Sequence, residues 1–423
     1  MSVERPVVHL HIGAMKTGTT HLQELMVANA AELEAAGFLF PLDNGRYTQT
    51  MAVRDVLNMK GDPVSLEKAR GEWDRAVKRL TSYDGKASIF SMEFLSFARP
   101  HVAKRVVSSF EGVDLRIIMT VRNAASAIPA QWQQAMQSQR TTSWRDFVEQ
   151  IKARDSEPDT WGAKTFRRTQ DIPRMLDAWL THVSPSEFTV VTVPPSSAPR
   201  GLLWERFAAA IGLDPTVATR TAPRSNESIG AASAELLRRI NENLVDVPIS
   251  DYRGTMRHSL ARGILSDRAS TEGKAPITPS FRAFAAEINA RTRAAITESG
   301  VQVIGDLDDL PAEAPAPPAD DAGVSAASDD DVLQAAAYAI PKMRRVVEQR
   351  AKQLRKQHDG STSVRHVLAE LPKVRDENSA LRRWRASTDP ASAAVDDMTA
   401  FCREGIALGI KLRQSTEPAA KEA

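Results

Sequence analysis

The stretch His11-Ile-Gly-Ala-Met-Lys-Thr-Gly-Thr-Thr20 gathers the residue types that hold a small tetrahedral anion. Gly13 and Gly18 permit sharp turns and a close approach of backbone to ligand. Thr17, Thr19 and Thr20 offer hydroxyl donors, and Lys16 adds a mobile cation. An apolar, β-branched run, Val7–Ile12, precedes the loop, and helical spacing follows it. The loop is therefore expected at a helix N-terminus, where unpaired N–H groups and the helix dipole favour an anion. Spacing separates it from the triphosphate loop Gly-x4-Gly-Lys-[Ser/Thr], whose lysine directly follows the second glycine. Here Lys16 stands two residues before Gly18, so the triphosphate pattern fails.

Other residues could work beside this loop. The strand-like run Ala87–Ser91 leads into Met92 and Glu93, which places Glu93 near a strand's carboxyl end, where α/β sites usually open. A carboxylate there can take a proton from a hydroxyl, or it can simply sit at a helix N-terminus. His9 and His11 alternate with Val8, Leu10 and Ile12 and share one face of the first strand. His11, nearest the loop, is a candidate for contact with a ligand, and the plainer reading makes both histidines satisfied members of a sheet face. His21 follows the loop on the expected helix. Trp132, among Gln131, Gln133 and Gln134, is read as core or as a stacking platform. Tyr47 and Arg54 lie in a region open to carry acceptor loops.

The order Lys-Thr-Gly-Thr-Thr directly after the first strand resembles the 5′-phosphosulfate loop of the sulfotransferase superfamily, usually Lys-[Ser/Thr]-Gly-[Ser/Thr]-[Ser/Thr]. The run Leu115–Val121 followed by Arg122-Asn123 is similar to that superfamily's 3′-phosphate turn, where Arg122 would present its planar fork. The family places a serine eight residues after this arginine; this chain has Ala130 there, and Ser126, one turn after Arg122, is the candidate substitute. Val191-Thr-Val-Pro-Pro195, Asn226-Glu-Ser-Ile-Gly230 and Val303-Ile-Gly-Asp-Leu307 also look like bacterial, especially actinobacterial, cytoplasmic sulfotransferases. The resemblance covers residues 7–310.

It implies a P-loop-like three-layer α/β domain and the donor 3′-phosphoadenosine-5′-phosphosulfate (PAPS), with no metal. Lys16 would stabilise charge on the oxygen bridging sulfate and 5′-phosphate, and Thr17, Gly18, Thr19 and Thr20 would hold that phosphate. Glu93, by position, resembles the catalytic base, with His11 as a further candidate. The acceptor would be a hydroxyl of a sugar, glycolipid or small molecule. Two other readings stay open: a binding or assembly protein on the same fold, and an atypical nucleotide-dependent kinase.

The elements that must position these residues are legible in outline. Val7–Ile12, Ala87–Ser91, Leu115–Val121 and Phe188–Val193 read as strands of a mainly parallel sheet. Thr20–Ala36 reads as an amphipathic helix stopped by Gly37, and Ser233–Val245 as another. Residues 1–310 are thus expected to form the α/β domain. Pro311–Asp330 holds four Pro, seven Ala and four Asp and reads as a linker. Residues 331–415 read as a helical, basic appendage, and residues 416–423 as a disordered tail. In that appendage Leu333, Ile340, Val347 and Leu354 recur every seven residues, through Pro341, and a second amphipathic stretch runs from Val364 to Val374. Helices packed on one another, a short coiled coil that docks a protein partner, and a basic face toward an acidic surface are the three readings of that pattern.

Composition bounds the rest. The formal charge is only +2 over 423 residues, so an anion site must be local and no global field marks a nucleic-acid binder. One cysteine, Cys402, allows no internal disulfide and fits a reducing compartment. Without a signal-like h-region or a long apolar span, a cytoplasmic protein with no membrane span is expected.

Overall fold

The computed structural model describes residues 5–42, 49–60, 63–221, 229–314, 327–357 and 387–416. They fall into two compact units, each made of three chain segments. Unit one comprises residues 1–128, 150–225 and 279–321, and unit two comprises 129–149, 226–278 and 322–423. The division is therefore not a single cut near residue 310. Residues 129–149 and 226–278, expected in the α/β domain, group with the C-terminal helices.

Unit one is an α/β unit around a six-stranded sheet of order β2-β3-β1-β4-β5-β6, parallel throughout. The strands are β1 (Val7–His11), β2 (Phe38–Leu39), β3 (Ala87–Ser91), β4 (Asp114–Val121), β5 (Phe188–Thr192) and β6 (Gln302–Ile304). Four match the expected runs to within a residue at each end. The edge strands β2 and β6 have two and three residues, too short for a period-2 pattern to mark them. Alternation sends Val8, Leu10 and Ile12 into one core and Ile89, Ile118 and Val191 into another. Both sheet faces are thus covered, as parallel sheets require.

Topology locates the site. The chain leaves β1 for β2 and β3 on one side, then crosses to β4 on the other. Ligands in open α/β sheets lie at the carboxyl ends of strands where the order reverses, here β3, β1 and β4. The segments following those three strands begin at Ile12, Met92 and Arg122.

The expected helix Thr20–Ala36 forms as two, Thr19–Ala28 and Ala30–Ala35, parted at Asn29. Asn29 is buried; its Nδ2 donates to the Leu25 and Arg220 carbonyls, and its Oδ1 accepts from the Arg220 N–H. That long-range pairing, invisible locally, makes the break.

In unit two, Asp329–Gln357 runs as one helix through Pro341 and packs against Pro390–Thr416. Ser328 and Asp331 cap its start reciprocally, so Asp329 and Asp330 are helical rather than linker. Its buried stripe is Val332, Ala335, Ala336, Ala339, Met343, Val347 and Leu354. Leu333 and Ile340 of the heptad set are only half-buried. The pattern follows the 3.6-residue period of a helix packed on its neighbour, not a coiled-coil seam. Residues 315–326, Val364–Val374 and the tail after 416 lie outside the described residues. No helix among the described residues is long and apolar enough to cross a membrane.

Candidate functional site

The loop after β1 is held from three sides through its backbone. The Ile12 and Ala14 N–H groups donate to the Ile118 and Thr120 carbonyls of β4, at 2.9 and 2.8 Å. The Gln170 amide donates to the Met15 carbonyl at 2.9 Å, and the Arg122 guanidinium to the Lys16 carbonyl at 3.1 Å. Gly13 adopts φ +80°, and a Cβ there would lie 2.6 Å from the Glu93 Cβ and 2.8 Å from its Cα. Glycine is needed on both counts, and its absence of side chain brings the β1 loop against the turn that carries Glu93. Gly18, at φ +86°, is the N-cap of helix Thr19–Ala28 and supplies no side-chain cap. Lys16 itself sits in the left-handed region at φ +64°, an uncommon conformation for a residue with a side chain.

The three threonines divide. Thr17 is buried, its hydroxyl 2.6 Å from the Ala14 carbonyl and 2.5 Å from the Thr120 hydroxyl. Thr19 is also buried, 4% exposed, yet its Oγ1 has no hydrogen-bond partner. Thr20 is half-buried in the same first turn. A buried hydroxyl without a partner costs roughly 1–3 kcal/mol, and a native structure tolerates it where a ligand completes the bond. The orphaned Thr19 hydroxyl therefore fits an anion at this helix N-terminus.

His11 lies beneath the loop. It is fully buried, with Nδ1 2.8 Å from the Ser91 hydroxyl, Nε2 3.1 Å from the Thr120 hydroxyl, and its ring edge against Phe207. Burial lowers its pKa to about 3, so it is neutral at pH 7. Each hydroxyl has one proton, which orders the chain. Gln23 Nε2 donates to Ser91, Ser91 to His11 Nδ1, His11 Nε2–H to Thr120, Thr120 to Thr17, and Thr17 to the Ala14 carbonyl. This assigns the His11 tautomer from the network. Every member is satisfied, and the chain ties β3, β1 and β4 to the loop above them.

Glu93 opens a short 3-10 helix, Glu93–Phe97, directly after β3. Burial pushes its carboxyl above the usual range, against the opposing pull of its own backbone N–H, Gln23 and Lys16. The Gln23 amide bridges the Ser91 carbonyl at 2.9 Å and the Glu93 carboxylate at 3.5 Å. Lys16 and Glu93 therefore meet electrostatically across the β1 loop.

Arg122 follows β4 as expected. Its half-buried guanidinium contacts the Lys16 carbonyl, and no carboxylate pairs with it among the described residues. Burial lowers its pKa, the mark of a desolvated cation without a counter-ion. The next helix, Ala124–Met136, is already capped: Asn289 Oδ1 accepts from Ala124 N–H, and Asn123 Oδ1 from Ala125 N–H. Ser126 N–H bonds to the Asn123 carbonyl, which leaves its half-buried side chain in the first turn.

The remaining candidates lie elsewhere. His9 is buried, with its pKa lowered to about 4 by burial, and its Nδ1 has no partner. His21 is exposed. Trp132 is fully buried in unit two, its indole N–H on the Thr142 carbonyl and its ring edge against Trp144. That is a core role. Arg54 is half-buried, and Tyr47 and Asn226–Ser228 lie outside the described residues. Sequence reasoning missed Gln23, Ser91, Thr120 and Gln170. Ser91 and Thr120 carried a signal: they are hydroxyls on the last turns of strands that pair with β1 on the His11 face. Gln170 carried none, because its partner is 155 residues away.

Comparison with known proteins finds no family model, no curated protein and no solved structure that matches the chain.

Proposed function

We propose that the chain is a sulfotransferase of P-loop-like α/β fold that uses PAPS as donor and a hydroxyl-bearing small molecule or carbohydrate as acceptor. The observation that carries this reading is the orphaned, buried Thr19 hydroxyl at an uncapped helix N-terminus, reached through Lys16-Thr-Gly. Three features fit the donor: the Gly13 and Gly18 cradle, the Thr19 hydroxyl, and an Arg122 cation that no carboxylate pairs with among the described residues. In this reading Lys16, Gly18, Thr19 and Thr20 hold the 5′-phosphate, Arg122 takes the 3′-phosphate, and Ser126 is the neighbouring hydroxyl. The donor supplies an already activated sulfuryl group. Lys16 neutralises charge that develops on the departing oxygen. Glu93 accepts the acceptor's proton at its carboxylate, and its raised pKa brings it closer to the working pH of a general base. His11, sealed beneath the loop, orients Thr120 and Thr17 and so holds the cradle's shape.

The test is thermal stability of the full chain with 3′-phosphoadenosine-5′-phosphate and, separately, with Mg·ATP. At one hundred times its dissociation constant, the bisphosphate should stabilise by about 2.7 kcal/mol, with little effect of Mg·ATP. No shift with the bisphosphate at millimolar concentration would sink the reading, and a shift with Mg·ATP alone would replace it with a kinase.

A binding or assembly protein on this fold is the second reading. Its support is that the Thr17 hydroxyl proton is already given to the Ala14 carbonyl and one Arg122 N–H to the Lys16 carbonyl, so part of the expected donor set is engaged within the protein itself. Bisphosphate binding without sulfuryl transfer from PAPS to any member of a hydroxyl-acceptor panel would favour it.

A further inference from the structure

Unit two contains a ten-residue π-helix, Arg253–Arg262, reading RGTMRHSLAR. π-Helices are rare, are usually single-turn bulges, and concentrate at functional sites. A full ten residues of that winding needs both a support and a reason.

The support comes from Arg350 on helix Asp329–Gln357. Its guanidinium donates to Thr255 Oγ1 at 2.5 Å, to the Gly254 carbonyl at 3.2 Å and to Ser259 Oγ at 3.0 Å. Ser259 Oγ donates to the same Gly254 carbonyl at 3.1 Å. Thr255, Met256, Leu260 and Ala261 form the buried side. The inner face of the segment is thus apolar and pinned by one arginine.

The reason lies on the outer face, in the spacing of Arg253, Arg257, His258 and Arg262. At 3.6 residues per α-helical turn, Arg253 and Arg262, nine apart, are two and a half turns apart and would point in opposite directions. Hydrogen bonding from i to i+5 widens the turn, so nine residues make about two turns, with the fourth and fifth residues flanking the first. The π winding therefore gathers the three arginines and His258 on one strip, where an α-helix would scatter them. Arg253, His258 and Arg262 are exposed, and Arg257 is half-buried with an Nε that has no partner. No carboxylate pairs with any of the four among the described residues. Burial and then the neighbouring arginines lower the Arg257 pKa, and the same two causes lower that of His258. Concentrating like charges this way costs free energy unless an anion lies over them.

We propose that the outer face of Arg253–Arg262 is a binding site for a phosphate- or sulfate-bearing anion, gripped by Arg253, Arg257, His258 and Arg262. Guanidinium forks suit tetrahedral oxyanions, and several forks in a row suit a ligand with two adjacent anionic groups. The site is independent of the β1 loop and of the function proposed for it.

The experiment is calorimetric titration of the full-length chain with inorganic pyrophosphate at fixed ionic strength. Lys16→Ala serves as background so that the β1 loop does not contribute. One saturable site is expected in that background. Arg257→Gln with Arg262→Gln should weaken it by about tenfold or more, equivalent to about 1.4 kcal/mol, while Arg257→Lys with Arg262→Lys should keep most of the affinity. Arg262→Gln alone alters only an exposed side chain and should weaken binding without changing the melting temperature. Absence of a saturable site, or an affinity indifferent to all these changes, overturns the proposal. Sedimentation with phosphatidylserine vesicles separates the source. Capture by vesicles that needs Arg257 and Arg262, without pyrophosphate binding, would also overturn the soluble-anion site and assign the strip to a lipid surface.

Discussion

Two turns at the carboxyl edge of one sheet begin alike, with a strand running into a helix, and end in opposite electrostatic states. After β4, the helix N-terminus is capped by Asn123 and Asn289, so its first amides already have acceptors. After β1, Gly18 supplies no cap and the Thr19 hydroxyl has no partner. The cations differ in the converse sense. Arg122 spends one N–H on the Lys16 carbonyl, while Lys16 itself is held in a left-handed backbone conformation that aims the chain around the loop. The β4 turn is a finished piece of structure that contributes a cation. The β1 turn is an unfinished one that contributes donors. What an anion would complete is the second.

That contrast can be broken or sharpened by substitution. The largest effect expected from the proposed function is on turnover: Lys16→Ala should cut the proposed sulfuryl transfer by about 10²–10³-fold, as for loss of one stabiliser of developing charge. Unchanged kcat in that variant would remove Lys16 from the chemistry. Gly13→Ala comes next. A Cβ at φ +80°, 2.6 Å from the Glu93 Cβ, should cost more than the roughly 1–2 kcal/mol of the left-handed strain alone. Urea denaturation measures this, and a loss below about 1 kcal/mol would mean that the two turns are not in contact.

The threonines give the sharpest test. Thr17→Val leaves the Thr120 hydroxyl proton without its acceptor and should lower stability by about 1–3 kcal/mol. Thr19→Val removes a hydroxyl that bonds to nothing, so stability should hold or rise while bisphosphate affinity falls. Equal stability losses at the two sites would erase the distinction between a finished and an unfinished turn.

The effect spread over the widest range comes from pH. His11 and His9 have folded-state pKa values lowered to about 3 and about 4. Between those values and the unfolded value near 6.5, the unfolded chain binds more protons. Stability is then fully present above pH 6.5 and is lost as pH falls, by up to about 1.4 kcal/mol per pH unit for each histidine. Denaturation midpoints at pH 7, 6 and 5 should show that decline, and His11→Asn should make it shallower. A flat profile would mean that His11 titrates freely and is not locked in the hydroxyl chain.

Legibility followed interaction range. Strands β1, β3, β4 and β5 were readable because their apolar alternation and boundaries lie within a few residues. The edge strands were too short to carry a pattern, and the helix break at Asn29 depends on Arg220, 191 residues away. The heptad in the C-terminal helix suggested a seam through Leu333 and Ile340, yet packing within unit two buries Val332, Ala336 and Met343 instead. Spacing alone cannot say which side of a helix meets a neighbour.

Lys16, Gly18 and the threonine run are local chemistry, and the sequence by itself determined their types, their order and their place after a strand. Steric and hydrogen-bonding rules that act over a few residues suffice for that. Which of those groups were already committed was decided only by the tertiary structure. Thr17 is bonded to a threonine 103 residues away, Arg122 reaches back 106 residues to the loop, and Thr19 is left without a partner. A donor's availability depends on what the rest of the chain brings within 3 Å, and no local pattern encodes that.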